Sequence, residues 1–201
     1  FIYVSSAAIY GKIETLPLHE SLVPQPISPY GASKLAAENY CKVFYEVYGL
    51  ATVCLRYFNV YGPRQTYGPY SGVITIFINQ LLSNQRPIIY GDGEQTRDFV
   101  NIQDVVDASM LALARKSAVG EVFNIGTGYA TSINKVARLL QEITGKTELE
   151  PLHTNPRTGD IRHSYADITK ARKVLGYNPK VDLKEGLAQF VKWHMQRELK
   201  A

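Results

Sequence analysis

Phe1-Ile2-Tyr3-Val4-Ser5-Ser6-Ala7-Ala8-Ile9-Tyr10-Gly11, followed by Ser28-Pro29-Tyr30-Gly31-Ala32-Ser33-Lys34, reads as a buried strand, a turn, and a helix that begins near Ser28. Ser28 is a good N-cap and Pro29 a good first helical residue, so Tyr30 falls in the first turn, where the macrodipole favours negative charge. Lys34 lies four residues on, with its Cβ roughly 5–6 Å from that of Tyr30 on the same helix face. Ammonium and dipole both favour a phenolate, and a downward shift of ~2–3 units would bring a phenol of pKa ~10 into the range of a useful base. A hydroxyl at Ser6, a phenol and an amine around one carbinol point to hydride-transfer chemistry.

Outward from this segment, strands and helices alternate in α/β fashion. Pro29 to Tyr48 reads as a helix closed by Gly49, with Tyr40, Phe44 and Tyr48 on one stripe that suits core packing. Ala51 to Tyr57 is apolar enough for a parallel strand covered on both faces, and Asn59 follows its C-terminal end, where open α/β sheets place ligands. Val73–Leu82, Gln103–Ala114 and Ile133–Ile143 read as helices, Ile88–Tyr90 and Glu121–Ile125 as strands. Two last helices, Lys170–Leu175 and Leu183–Leu199, have Asp167 and Asp182 as cap candidates, with Glu185 completing a capping-box pattern. Trp193 and His194 lie far from the chemistry and read as structural.

Further motifs follow in order: Arg56-Tyr57-Phe58-Asn59-Val60-Tyr61-Gly62-Pro63-Arg64, Tyr90-Gly91-Asp92-Gly93, Thr96-Arg97-Asp98-Phe99-Val100, Phe123-Asn124-Ile125-Gly126-Thr127-Gly128 and Arg157-Thr158-Gly159-Asp160. Together with the opening segment they resemble the extended short-chain dehydrogenase/reductases, in their NAD-dependent epimerase/dehydratase branch. The resemblance covers essentially the whole chain. It implies the C-terminal part of a Rossmann-like doubly wound parallel sheet (residues 1–71) plus a smaller α/β substrate-binding region (72–201), with about 92–115 returning to the sheet. Relatives open with a glycine-rich GxxGxxG turn that seats the cofactor pyrophosphate on a helix N-terminus. No such turn occurs here, so the expectation is a fragment that binds NAD weakly or not at all by itself.

The resemblance also implies roles. Tyr30 takes the proton of a sugar 4-hydroxyl while hydride passes from C4 to NAD, Ser6 bonds or relays at that oxygen, and Lys34 holds the nicotinamide ribose. Ser5, Tyr30, Lys34 and Phe58 are the cofactor-side residues. On the substrate side, Arg97 and Arg157 hold the pyrophosphate in a fork that lysine cannot reproduce. Asp160 takes ribose hydroxyls, Tyr90 packs on the base, Asn59 bonds a phosphate oxygen, and Val73 and Ile74 line the cleft. Asp98 and Asp104 fix Arg97 or cap a helix and stay outside the site, and His163 reads as a solvent-facing loop residue. Dehydratases of this branch carry an Asp-Glu pair where Ala7 and Ala8 stand, and alanine moves no proton. Elimination is therefore disfavoured, decarboxylation more weakly. A UDP-sugar 4-epimerase, homodimeric through the Tyr30 helix, is the first expectation; the alternative is a non-catalytic UDP-sugar binder or an inert fragment associating through an orphaned sheet edge.

Composition narrows the class. The 201 residues are 45% hydrophobic and 20% charged, an ordinary globular balance that indicates neither disorder nor membrane insertion. No signal peptide is apparent. Two cysteines, Cys41 and Cys54, make no disulfide framework and suit a reducing cytoplasm. The net charge of +4 is scattered, which implies no nucleic-acid partner. No metal site is assigned.

Overall fold

A computed structural model describes residues 1–65, 68, 71–157 and 159–198. β1 (Ile2–Ser6) leads through a short 3-10 turn at Ala7–Ile9 and a loop to α1 (Pro29–Tyr48). Ser28 caps α1 by accepting from the Gly31 N–H at 3.0 Å, and Gly49, at φ 68°, closes it in the left-handed conformation that a side chain would oppose. β2 (Val53–Tyr57) follows, two residues later than the apolar run suggested, its pairing with β1 beginning at Val53 opposite Ile2. β3 (Asn59–Tyr61), α2 (Val73–Leu82), β4 (Ile88–Tyr90), β5 (Thr96–Arg97) and β6 (Phe99–Asn101) come next. α3 (Ile102–Ala114) begins one residue early, capped by Asn101. Then come β7 (Val122–Ile125), β8 (Thr131–Ser132), α4 (Ile133–Thr144), β9 (Leu152–Thr154), a π-helical turn at Ala171–Leu175 and α5 (Leu183–Glu198). Asp167 accepts from Thr169 N–H, and Asp182 from Lys184 and Glu185 N–H, as cap residues should. Leu199, the expected end of the last helix, lies outside the described residues.

The principal sheet is parallel, in the order β1-β2-β7. Side chains alternate across β2, and its two faces meet different helices. Arg56 reaches Glu38 on α1 at 2.8 Å, whereas the Tyr57 hydroxyl meets Ser109 on α3. Arg56 is 5% exposed and also donates to the Tyr10 hydroxyl, which in turn donates to Asn124 on β7. Burial opposes the charge on Arg56, but the Glu38 and Tyr10 contacts outweigh it and raise its pKa. α1 is thus fixed to the sheet one turn beyond Lys34.

Two apolar cores form. One gathers Leu55, Val100, Val105, Phe123, Ile125 and Leu175 around the principal sheet; the other gathers Phe77, Ile78, Ile89, Leu140, Leu187 and Phe190 among α2, α4 and α5. β7 and the 166–177 segment belong to the first core although they lie beyond 92–115. The α1 stripe is not core: Tyr40 is 69% exposed and Tyr48 73%. No helix among the described residues is long and apolar enough to cross a membrane.

Candidate active site

The C-terminal end of β1 delivers Ser5 and Ser6. Ser6 caps the following 3-10 turn by accepting from the Ala8 N–H at 3.2 Å, which leaves its own O–H free to donate. Ser5 is buried, and its hydroxyl has no partner among the described residues. The first turn of α1 packs against this segment so tightly that a Cβ on Gly31 would stand 2.6 Å from the Ala8 carbonyl oxygen. That contact brings the Tyr30 helix up to the Ser6 turn. Tyr30 is 56% exposed. The Lys34 ammonium donates to the Val4 carbonyl at 2.9 Å and lies 5.6 Å from the centre of the Tyr30 ring, so phenol and ammonium lean to the same side. Phe58, expected on the cofactor side, instead has its ring in the first core, 6% exposed, so only its backbone can face a ligand.

The substrate candidates converge on a second region. Asn59 opens β3, two residues past Tyr57, which pairs with Ser6. Its N–H donates to the Asp98 carbonyl, which sets Asn59 beside Arg97. β4 and β9 run parallel with Tyr90 opposite Thr154, so Arg157 is carried over Tyr90, its guanidinium 3.9 Å from the ring centre. A cavity of about 330 Å³ is lined by Asn59, Val73, Tyr90, Arg97, Arg157 and Asp160. A neighbouring lobe of about 310 Å³ shares Tyr90, Gln95, Arg157 and Asp160. Ile74 does not join them: it is 2% exposed and turned into the second core. Thr158, inside the Arg157–Asp160 motif, lies outside the described residues.

Inside the cleft, Arg97 is already paired, donating to Asp160 at 2.6 Å and to the Thr96 carbonyl at 2.8 Å. Burial lowers its pKa and Asp160 partly restores it. Asp98 faces away, accepting from Thr127 N–H and Oγ1, Gly128 N–H and Ala166 N–H. It therefore fixes the turn after β7 rather than Arg97. Asp104 likewise accepts from the Lys180 and Val181 N–H groups. His163 bonds Thr96 at 3.0 Å. Gln95, not singled out from sequence, lies in the wall of both lobes; its two-residue spacing from Arg97 was the available signal.

A family model described as GDP-mannose 4,6 dehydratase matches residues 1–190. A putative UDP-glucose 4-epimerase of Methanocaldococcus jannaschii is 44% identical over 94% of this chain and 60% of its own length. The crystal structure of UDP-glucose 4-epimerase with UDP-glucose from Thermotoga maritima superposes with a TM-score of 0.93 and 46% identity, over 98% of this chain and 64% of that one. The UDP-glucuronic acid 4-epimerase of Bacillus cereus, in complex with UDP-glucuronic acid and NAD, gives 0.90 and 37%, over 98% and 62%. The chain thus spans about 60% of the length of the curated relative quoted.

Proposed function

The chain belongs to the NAD-dependent epimerase/dehydratase family, and from that premise we propose that it is the proton-transfer and nucleotide-sugar-binding part of a UDP-glucose 4-epimerase, interconverting UDP-glucose and UDP-galactose. One observation carries the reading: Tyr30 and Lys34 lean together over the end of β1, with alanine at both positions 7 and 8.

This end of the sheet fits the nicotinamide ribose of NAD. Among the described residues the Ser5 hydroxyl has no partner, and Lys34 uses one of its three donors on Val4, which leaves two for ribose oxygens. NAD, when bound, supplies the site that accepts and returns the C4 hydride. Tyr30 Oη takes the proton from the sugar 4-hydroxyl and gives it back after the ring has turned, and Ser6 Oγ donates to the same oxygen. Arg97 and Arg157 meet the pyrophosphate, Tyr90 the base, Asp160 the ribose, and Asn59 a phosphate oxygen. The exposed α1 stripe supports homodimerisation through that helix, and the free, buried Cys41 and Cys54 support a reducing, cytoplasmic setting.

The test joins this chain to a glycine-rich NAD-binding half and incubates it with NAD and UDP-galactose, with UDP-glucose as the product sought. The second reading, a UDP-sugar binder without turnover, rests on the cleft of Tyr90, Arg97, Arg157 and Asp160 being assembled within these residues. Calorimetric UDP binding with no product would select it.

A further inference from the structure

Gln95 stands in the wall that both lobes of the cleft share, beside Tyr90, Arg157 and Asp160. It is 7% exposed. Its side-chain Nε2 donates to the Tyr90 carbonyl at 2.7 Å, and its backbone carbonyl accepts from the Ile133 N–H at 3.2 Å. The remaining acceptor, Oε1, is buried with no partner among the described residues. Turning the amide over would not help, because it would set Oε1 against the Tyr90 carbonyl oxygen. A buried acceptor left unmade costs its full desolvation, more than a typical hydrogen bond contributes, so this one awaits a donor.

We propose that Gln95 Oε1 accepts a hydrogen bond from the nucleoside end of a bound nucleoside diphosphate sugar, either from the imide N–H of uracil or from a ribose hydroxyl. This rests on the nucleotide-sugar reading of the cleft. A pyrophosphate offers only acceptors, and the sugar with its hydroxyls belongs toward Tyr30, whereas Gln95 is tied to Tyr90 at the nucleoside end, which leaves the nucleoside as the source of the donor. Gln95 then has a double function: one arm holds the strand end that carries Tyr90, and the other reads the ligand.

The experiment is calorimetry of the 201-residue chain with UDP, its N3-methyl form, and its 2′-deoxy and 3′-deoxy forms, on wild type and Gln95→Met. In wild type, one modified nucleotide is expected to bind about tenfold more weakly than UDP, and which one it is identifies the donor. In Gln95→Met that gap should close to within about twofold, since the Tyr90 tether is lost equally for every ligand. Gln95→Leu serves if Gln95→Met fails to melt cooperatively. No gap with any of the three nucleotides, or a gap unchanged in the variant, overturns the assignment while leaving the cleft a UDP site. If wild type binds none of them, the nucleotide-sugar reading falls and this assignment with it.

Discussion

Arg97 engages Asp160 from a half-buried position, so a pyrophosphate reaching its guanidinium competes with a carboxylate already in place. Such competition favours a planar fork, which can bond phosphate and carboxylate on different edges, over a single ammonium. Arg97→Lys is therefore expected to weaken UDP binding by about tenfold and Arg97→Ala by more, as calorimetry on the chain will read. That Arg97, Arg157, Tyr90 and Asp160 share one cleft was legible in the sequence, because they sit in short motifs with few ways to be satisfied. The places of Ile74 and Phe58 were not. Apolar residues give no sign of whether they face a ligand or a core, and on α2 one residue's rotation takes Val73 into the cleft and Ile74 out of it.

Gly31 decides how closely α1 meets the turn after β1. A methyl there would stand 2.6 Å from a backbone carbonyl, a group that cannot swing aside, so the helix start must back away from Ser6. Overpacking of this kind costs about 1–3 kcal/mol. Gly31→Ala is expected to lower the thermal midpoint by several degrees and to leave UDP affinity within about twofold, since the cleft lies beyond β3. A loss of UDP binding equal to the loss of stability would contradict this separation. The longer elements were readable because Ser28, Gly49 and Asp182 punctuate them as caps. The short strands β3, β5, β6, β8 and β9 were not, since two or three residues carry no period; β4, as short, showed only as the apolar run Ile88-Ile89-Tyr90.

Two cores joined through β3, β6 and α3 make one molecule, and buried phenols make it sensitive to alkali. Burial raises Tyr10 and Tyr61 from 10.0 to about 12. Between these values the unfolded chain sheds protons that the folded one retains, so stability present below pH 10 is lost as pH climbs toward 12. The thermal midpoint should fall across that window, with phenolate absorbance rising in step with loss of helical circular dichroism. The same phenols ionising near pH 10 in an intact fold would refute it. Sequence alone did not disclose how the cores divide, because β7 and the 166–177 segment return to the first core across contacts that local pattern does not encode. The account as a whole is tested most directly by turnover, with a glycine-rich NAD-binding half joined to this chain. Conversion of UDP-galactose to UDP-glucose is expected, and Tyr30→Phe should cut its rate by at least about a hundredfold with UDP affinity unchanged; a Tyr30→Phe protein that keeps most of its rate would contradict it.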